Sequence, residues 1–162
     1  MRWIGTSWDM RMKTLMSWSS GKDSAWALHV LGQRPDITVV GLVSTINEAF
    51  DRVAMHGVRR ALVERQAEAA GLPLHVLPIP HPCPNEAYER IMGAFVAQQT
   101  AAGVQAMAFG DLFLEDIRQY REAKLAGTGI EPLFPLWQIP TRELARDMIA
   151  GGLVAHIACL DP

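Results

Sequence analysis

The sequence has little cysteine. Cys83 and Cys159 stand far apart and form no CxxC pair, which favours a cytoplasmic protein with free thiols over a disulfide scaffold. Neither sign of charge dominates. Fifteen basic residues face seventeen acidic ones, for a net charge of −2, and that balance does not by itself recruit a nucleic-acid backbone or an anionic membrane. No apolar run approaches the roughly 20 residues that a membrane-spanning helix needs. A clean signal peptide is also lacking. Arg2 opens the N-terminal stretch "MRWIGTSWDMRMKTLMSW", but Asp9, Arg11 and Lys13 interrupt any apolar core. There is no internal repeat, low-complexity tract or linker. Residues 1–11 read as an extension and residues 12–162 as one domain.

What the chain does have is core-forming material, with 49% hydrophobic and 20% charged residues. Apolar runs alternate with helical patterns. "KTLMSW" (13–18) is short and apolar, and "DSAWALHVL" after it is helical. "DITVVGLVST" (36–45) is rich in β-branched residues and reads as a buried strand. "GVRRALVERQAEAAG" (57–71) is an amphipathic helix ended by glycine, and "LPLHVLPI" (72–79) is a strand. A helix follows at 85–103, with Asn85 as its N-cap and Gly103 as its stop. "VQAMAFGD" (104–111) is a strand ending in Gly110-Asp111. The pattern then predicts a helix at 115–127, an extended, proline-punctuated segment at 130–137, a helix at 141–152 capped by Thr141, and a last strand at 153–160. Such alternation argues for a parallel sheet covered by helices on both faces.

The stretch "SWSSGKDSAWALH" (17–29) sits between the first strand and the first helix. In open α/β sheets, ligands bind beyond the carboxyl ends of the strands. Small residues let backbone N–H groups approach an anion, and a helix N-terminus adds free donors and a positive dipole end. Lys22 adds a mobile cation; Ser19, Ser20 and Ser24 add hydroxyls. The combination suits phosphate or pyrophosphate. It is not a Walker A loop, because Met16 stands where that motif needs its first glycine and Asp23 stands where it needs Ser or Thr. Nor is there a G-x-G-x-x-G dinucleotide fingerprint. The plainer alternative is an ordinary βα turn in which Asp23 caps the helix.

Ser19-Ser20-Gly21-Lys22-Asp23-Ser24 resembles the S-G-G-x-D-S PP-loop of the N-type ATP pyrophosphatases, with serine at the motif's second position. From about Met12 onward the chain resembles the diphthine–ammonia ligase-like (diphthamide synthase) family of that superfamily. Three further stretches carry the likeness: "DRVAMHGVRRALVERQAEAAGLPL", "FGDLFLEDIRQYRE" and "PLFPLW". The resemblance implies a Rossmann-like (HUP-type) three-layer αβα sandwich with a mostly parallel sheet of five or six strands. It implies that Ser19, Gly21, Lys22, Asp23 and Ser24 surround the phosphates of ATP, with Ser17, Ser20 and Gly110 also counted among the ATP-binding residues. It also implies that Val43, Ser44 and Thr45, at the end of the second strand, lie beside adenine through backbone groups.

Lys22 can neutralise charge growing on the leaving pyrophosphate. Asp23 and Asp111 are the candidate Mg²⁺ ligands, since hard cations prefer carboxylate and phosphate oxygens; Asp111 could instead hold an attacking amine, with an ordinary turn aspartate as its plainer alternative. Arg52, His56 and Gly57 match the family's R-x-x-x-H-G spacing, so that His56 binds substrate or shuttles a proton. A structural histidine is the alternative. Lys22, Asp23, His56 and Asp111 form the candidate catalytic set. Glu115, Arg118, Tyr120, Arg121 and Glu122 match the family's Y-Q-R-x-R-x-E pattern loosely and stand as substrate-binding candidates; a surface i,i+4 pair between Arg118 and Glu122 is the alternative. Leu136-Trp137 matches the family's "LW", with core packing as its plainer role. "HPCPNEAYE" (81–89) reads as a rigid loop over the site, with Cys83 between two prolines.

Family members usually continue into an acidic G-E-N-G-E-type segment, whereas this chain ends at Asp161-Pro162. The reading therefore expects part of the acceptor-recognising region to be missing. The implied chemistry is adenylation of a carboxylate by ATP and Mg²⁺, pyrophosphate release, and amide formation with ammonia or an amine. The acceptor is a carboxylate on a small molecule or a modified protein side chain. The expected setting is cytoplasmic, without membrane or nucleic-acid partners, with a homodimer as the candidate assembly. A nucleotide sensor without turnover is the alternative, and a tRNA-modifying enzyme is disfavoured by the lack of paired cysteines and of a basic surface.

Overall fold

The computed structural model describes residues 11–54 and 56–156. Six strands and five helices alternate: β1 (Met12–Ser17), α1 (Lys22–Gly32), β2 (Ile37–Asn47), β3 (Arg52–Val53), α2 (Arg60–Ala70), β4 (Leu74–Ile79), α3 (Asn85–Ala101), β5 (Ala106–Ala108), α4 (Glu115–Leu125), β6 (Glu131–Leu133) and α5 (Thr141–Ala150). β2 pairs in parallel with β1 and with β4; β1 pairs in parallel with β5, and β5 with β6. The parallel strands thus lie in the order β4-β2-β1-β5-β6. The two-residue β3 folds back antiparallel on the end of β2. This is a mixed α/β, Rossmann-like sheet whose order reverses between β1 and β5, and such a reversal opens a crevice at the carboxyl ends of those two strands.

Alternation along each strand splits the core in two, because successive side chains point to opposite faces. Met16, Leu42 and Ala108 join Trp26, Leu31, Val63, Leu144 and Met148 beneath α1, α2 and α5. Leu15, Val43 and Met107 join Phe95, Val96 and Leu125 beneath α3 and α4. With helices on both faces, the central strands are apolar on both sides, and their continuous apolar runs follow from that. Each fully buried Leu or Met contributes on the order of 1.5–3 kcal/mol.

Several boundaries differ from the sequence expectation; the expected strand at 104–111, for one, shortens to β5, Ala106–Ala108. Asn85 is the first residue of α3 rather than its cap, which is Pro84. Thr141 likewise opens α5, with Pro140 as cap. In both cases proline's fixed φ sets the entry angle without a side-chain hydrogen bond. The extended segment at 130–137 narrows to β6; after it the chain turns, burying Leu136 completely. No strand forms over residues 153–156, and the remainder of that expected strand, with Cys159, lies outside the described residues. Of the described helices, none is long and apolar enough to cross a membrane.

Candidate functional site

The turn after β1 is built by its own serines. Ser24 Oγ donates to the Gly21 carbonyl at 2.9 Å, and the hydroxyls of Ser19 and Ser24 lie 3.2 Å apart. The Gly21 amide donates to Ser19 Oγ at 3.4 Å. Gly21 is the N-cap of α1, and no side chain caps the helix. The amides of Lys22, Asp23 and Ser24 therefore lead α1 with no acceptor from within the helix. Asp23 does not cap; its carboxylate takes the Lys22 ammonium at 2.6 Å, at a largely exposed position. Ser17 closes β1 opposite Val43.

Ser20 stands where the PP-loop motif carries glycine, and its φ is +69°. That left-handed conformation costs a side-chain-bearing residue roughly 1–2 kcal/mol. The offsetting contact comes from α2. Gln66 Oε1 accepts from the Ser20 hydroxyl at 2.5 Å and from the Trp18 indole at 2.9 Å, and the Gln66 amide donates to the Ser20 carbonyl at 3.4 Å. Sequence reasoning missed Gln66. A lone glutamine in an amphipathic helix carries no signal of such a role.

His56 arrives from the β3–α2 connection. Arg52 Nη1 donates to the Gly57 carbonyl at 2.7 Å, and Gly57 adopts φ +62°, which favours glycine. Arg52 therefore holds the turn. The turn brings His56 to Gly21: a Cβ on Gly21 would lie 3.7 Å from His56 Nε2. The R-x-x-x-H-G spacing thus has a local structural reason, and its histidine lies beside the N-cap of α1.

From the other side of the crevice comes the end of β5. A Cβ on Gly110 would lie 3.0 Å from the Ser24 amide nitrogen and 3.0 Å from the Asp23 carbonyl carbon. Asp111 follows and accepts from Arg121 of α4 at 2.5 Å through Nε and at 3.4 Å through Nη2. Arg121 also lies over the Phe109 ring, 4.3 Å from its centroid. The Arg118 guanidinium sits between Phe134 and Trp137, at 4.9 and 4.8 Å, and pairs with Glu122 at 2.7 Å. Glu115 accepts from Gln119 at 3.4 Å, and Tyr120 is exposed on α4 with Lys124 over its ring.

The remaining candidates are placed differently. β2 runs on to Asn47, so Val43, Ser44 and Thr45 lie inside the strand rather than at its end. The Val43 carbonyl takes the Trp18 amide, the Ser44 hydroxyl donates to the Trp18 carbonyl at 2.6 Å, and the Thr45 carbonyl takes the Ala54 amide. Ser44 is 1% exposed, so its hydroxyl anchors the loop's base. In the 81–84 loop, His81 contacts Asn47 at 3.2 Å and packs edge-on against Phe50, while Cys83 is a half-buried free thiol.

Two chain segments therefore meet at the sheet's reversal point: a serine-lined helix N-terminus after β1 and Gly110-Asp111, which follow β5 rather than ending it as the sequence pattern predicts. A family model described as "Diphthamide synthase N-terminal domain" matches residues 12–130. The chain belongs to this family. The family is part of the PP-loop, or ATP pyrophosphatase, superfamily, and the match begins on the first residue of β1 and contains the loop, the His56 turn, Gly110-Asp111 and all of α4. No curated protein matches the chain. Of the described residues, no group of three or more His, Cys, Asp or Glu comes together as a metal site.

Proposed function

We propose that the chain binds ATP with its phosphates on residues 19–24 and adenylates a carboxylate for amide formation. The observation that carries this reading is the contact between Gly110 and the first turn of α1, which brings Asp111 next to a helix start whose leading amides have no acceptor within the helix and no side-chain cap. A carboxylate oxygen of the acceptor attacks the α-phosphorus, and the bond to the α,β-bridging oxygen breaks, releasing pyrophosphate. Ammonia or an amine then attacks the acyl carbon, AMP leaves, and the amine loses one proton. Lys22 and the amides of α1 hold the charge that develops on pyrophosphate. His56, exposed beside Gly21, takes the amine's proton. Asp23 and Asp111 flank Gly110 and would hold Mg²⁺ with the phosphates, which suits an ion that keeps waters and takes only one or two carboxylates. When bound, the ion would neutralise phosphate charge. The rest is positioning, since no nucleophile of the protein is needed.

The deciding experiment measures pyrophosphate release from ATP and Mg²⁺ with candidate carboxylates and ammonium, together with ATP affinity of Lys22→Ala. Acceptor-dependent release and an affinity loss of at least tenfold are expected. A triphosphate bound away from residues 19–24 sinks the reading. A sensor without turnover is the second reading, favoured by the pairing of Asp23 with Lys22 and of Asp111 with Arg121. Tight ATP binding with no pyrophosphate under any acceptor selects it.

A further inference from the structure

Between α3 and α4 lies a cavity of about 500 Å³. Its lining includes Met107 of β5 and Phe109 just after it, together with Met92, Val96 and Leu125. It exists because α3 presents Gly93, Ala97 and Ala101, too small to fill the gap toward α4. A Cβ on Gly93 meets nothing within 4 Å. Clefts of this size and apolar character are typical of small-molecule sites.

Two unused donors sit on its wall. Arg121 gives Nε–H and one Nη2–H to Asp111, a side-on pairing that leaves Nη1 without an acceptor from any described residue. The guanidinium's end-on fork is therefore free, and that fork matches a planar carboxylate. The hydroxyl of half-buried Tyr88 makes no hydrogen bond to any described residue either. Burial pushes the Tyr88 phenol up from its ordinary value, against the pull of Arg121, so it stays a donor at neutral pH. The remaining charges cancel: Lys124 holds Glu89 at 2.7 Å. Lys124 also faces the Tyr120 ring, so the aromatic surface is already occupied by a cation.

We infer that this cavity binds a small apolar carboxylate, its aliphatic or aromatic body between α3 and α4 and its carboxylate on Arg121 Nη1 and the Tyr88 hydroxyl. Arg121 also pairs with Asp111, which follows Gly110 at the first turn of α1. The ligand's role as the acceptor rests on the adenylating reading above; its binding does not.

The test is titration calorimetry of the whole chain with 4-phenylbutyrate and no nucleotide. Binding is expected, with 4-phenylbutylamine at least tenfold weaker. Arg121→Gln should weaken the acid at least tenfold. Gly93→Leu, whose Cβ meets nothing within 4 Å and which improves helix propensity, should do the same, with its melting temperature reporting an intact fold. Methyl NMR should show shifts at Met92 and Met107. Equal affinity for the amine, an unchanged affinity in folded Gly93→Leu, or unmoved methionine methyls overturns the inference. Acid binding with these signatures in a protein whose ATP affinity survives Lys22→Ala supports the cavity assignment and overturns the adenylating reading alone.

Discussion

Gly110 and Ser24 approach so closely that a Cβ on Gly110 would lie 3.0 Å from the Ser24 amide nitrogen. The opposing atoms are backbone and belong to the first turn of α1, so they cannot swing aside as a side-chain tip would. Gly110→Ala must push β5 and α1 apart. Overpacking of this kind costs about 1–3 kcal/mol, read as a lower midpoint in urea unfolding. On the proposed reading ATP affinity should fall with it, because the displaced amides are those assigned to phosphate. An alanine variant with wild-type stability and ATP affinity would show that the two strand ends are not mechanically joined.

Ser20 and Gln66 form a second coupled pair. Ser20 pays the left-handed cost and recovers it through the hydrogen bonds with Gln66. Ser20→Gly alone removes both cost and bond, so its effect on stability should be within about 0.5 kcal/mol. Gln66→Ala alone leaves Trp18 and Ser20 without their acceptor and should destabilise by about 1–3 kcal/mol. In the Gln66→Ala background, Ser20→Gly should become stabilising. A double-mutant cycle by urea unfolding reads this directly; simple additivity would refute the compensation.

These two pairs mark where the sequence stopped being legible. The strand–helix alternation and both apolar faces could be read because period and β-branching report burial directly. The turn at residues 19–24 could be placed because glycine and serine suit a strand–helix junction; its hold on phosphate is the reading proposed above. Gln66 could not, since its partners lie on β1's loop and nothing local distinguishes it from a solvated glutamine. The Arg121–Asp111 pair was half legible: each residue was a candidate, but their pairing depends on where α4 lands on β5. The short β3 escaped because two residues carry no periodicity. Arg52 was read as a substrate contact, and its hydrogen bond to Gly57 gives it a local structural role in the His56 turn.

Tyr88 supplies a pH test. Burial raises its phenol above 10.0, with Arg121 pulling the other way. The folded chain therefore holds that proton more tightly than the unfolded chain does. The stability contributed is whole below the unfolded value and is lost as pH rises through the folded one. Melting temperature should fall as pH rises past about 10, and Tyr88→Phe should lose less over the same rise. An equal decline in both proteins would show that the phenol does not feel its surroundings.

Gly151 ends α5 against the indole of Trp26. A Cβ there would lie 2.3 Å from the ring's Cη2 and 2.8 Å from Cζ3. Trp26 is 8% exposed and stacked on His29, with ring centroids 4.5 Å apart, so the indole has no room to retreat. The φ of Gly151 is −78°, so the glycine is needed for space and not for backbone freedom. Gly151→Ala should destabilise by about 1–3 kcal/mol through this clash, while Gly93→Ala, open on all sides at a helical position, should stabilise by up to about 1 kcal/mol. Thermal melts of the two variants should move in opposite directions. If Gly151→Ala melts with the wild type, α5 does not press on Trp26 and the α1–α5 face of the core is looser than its packing indicates.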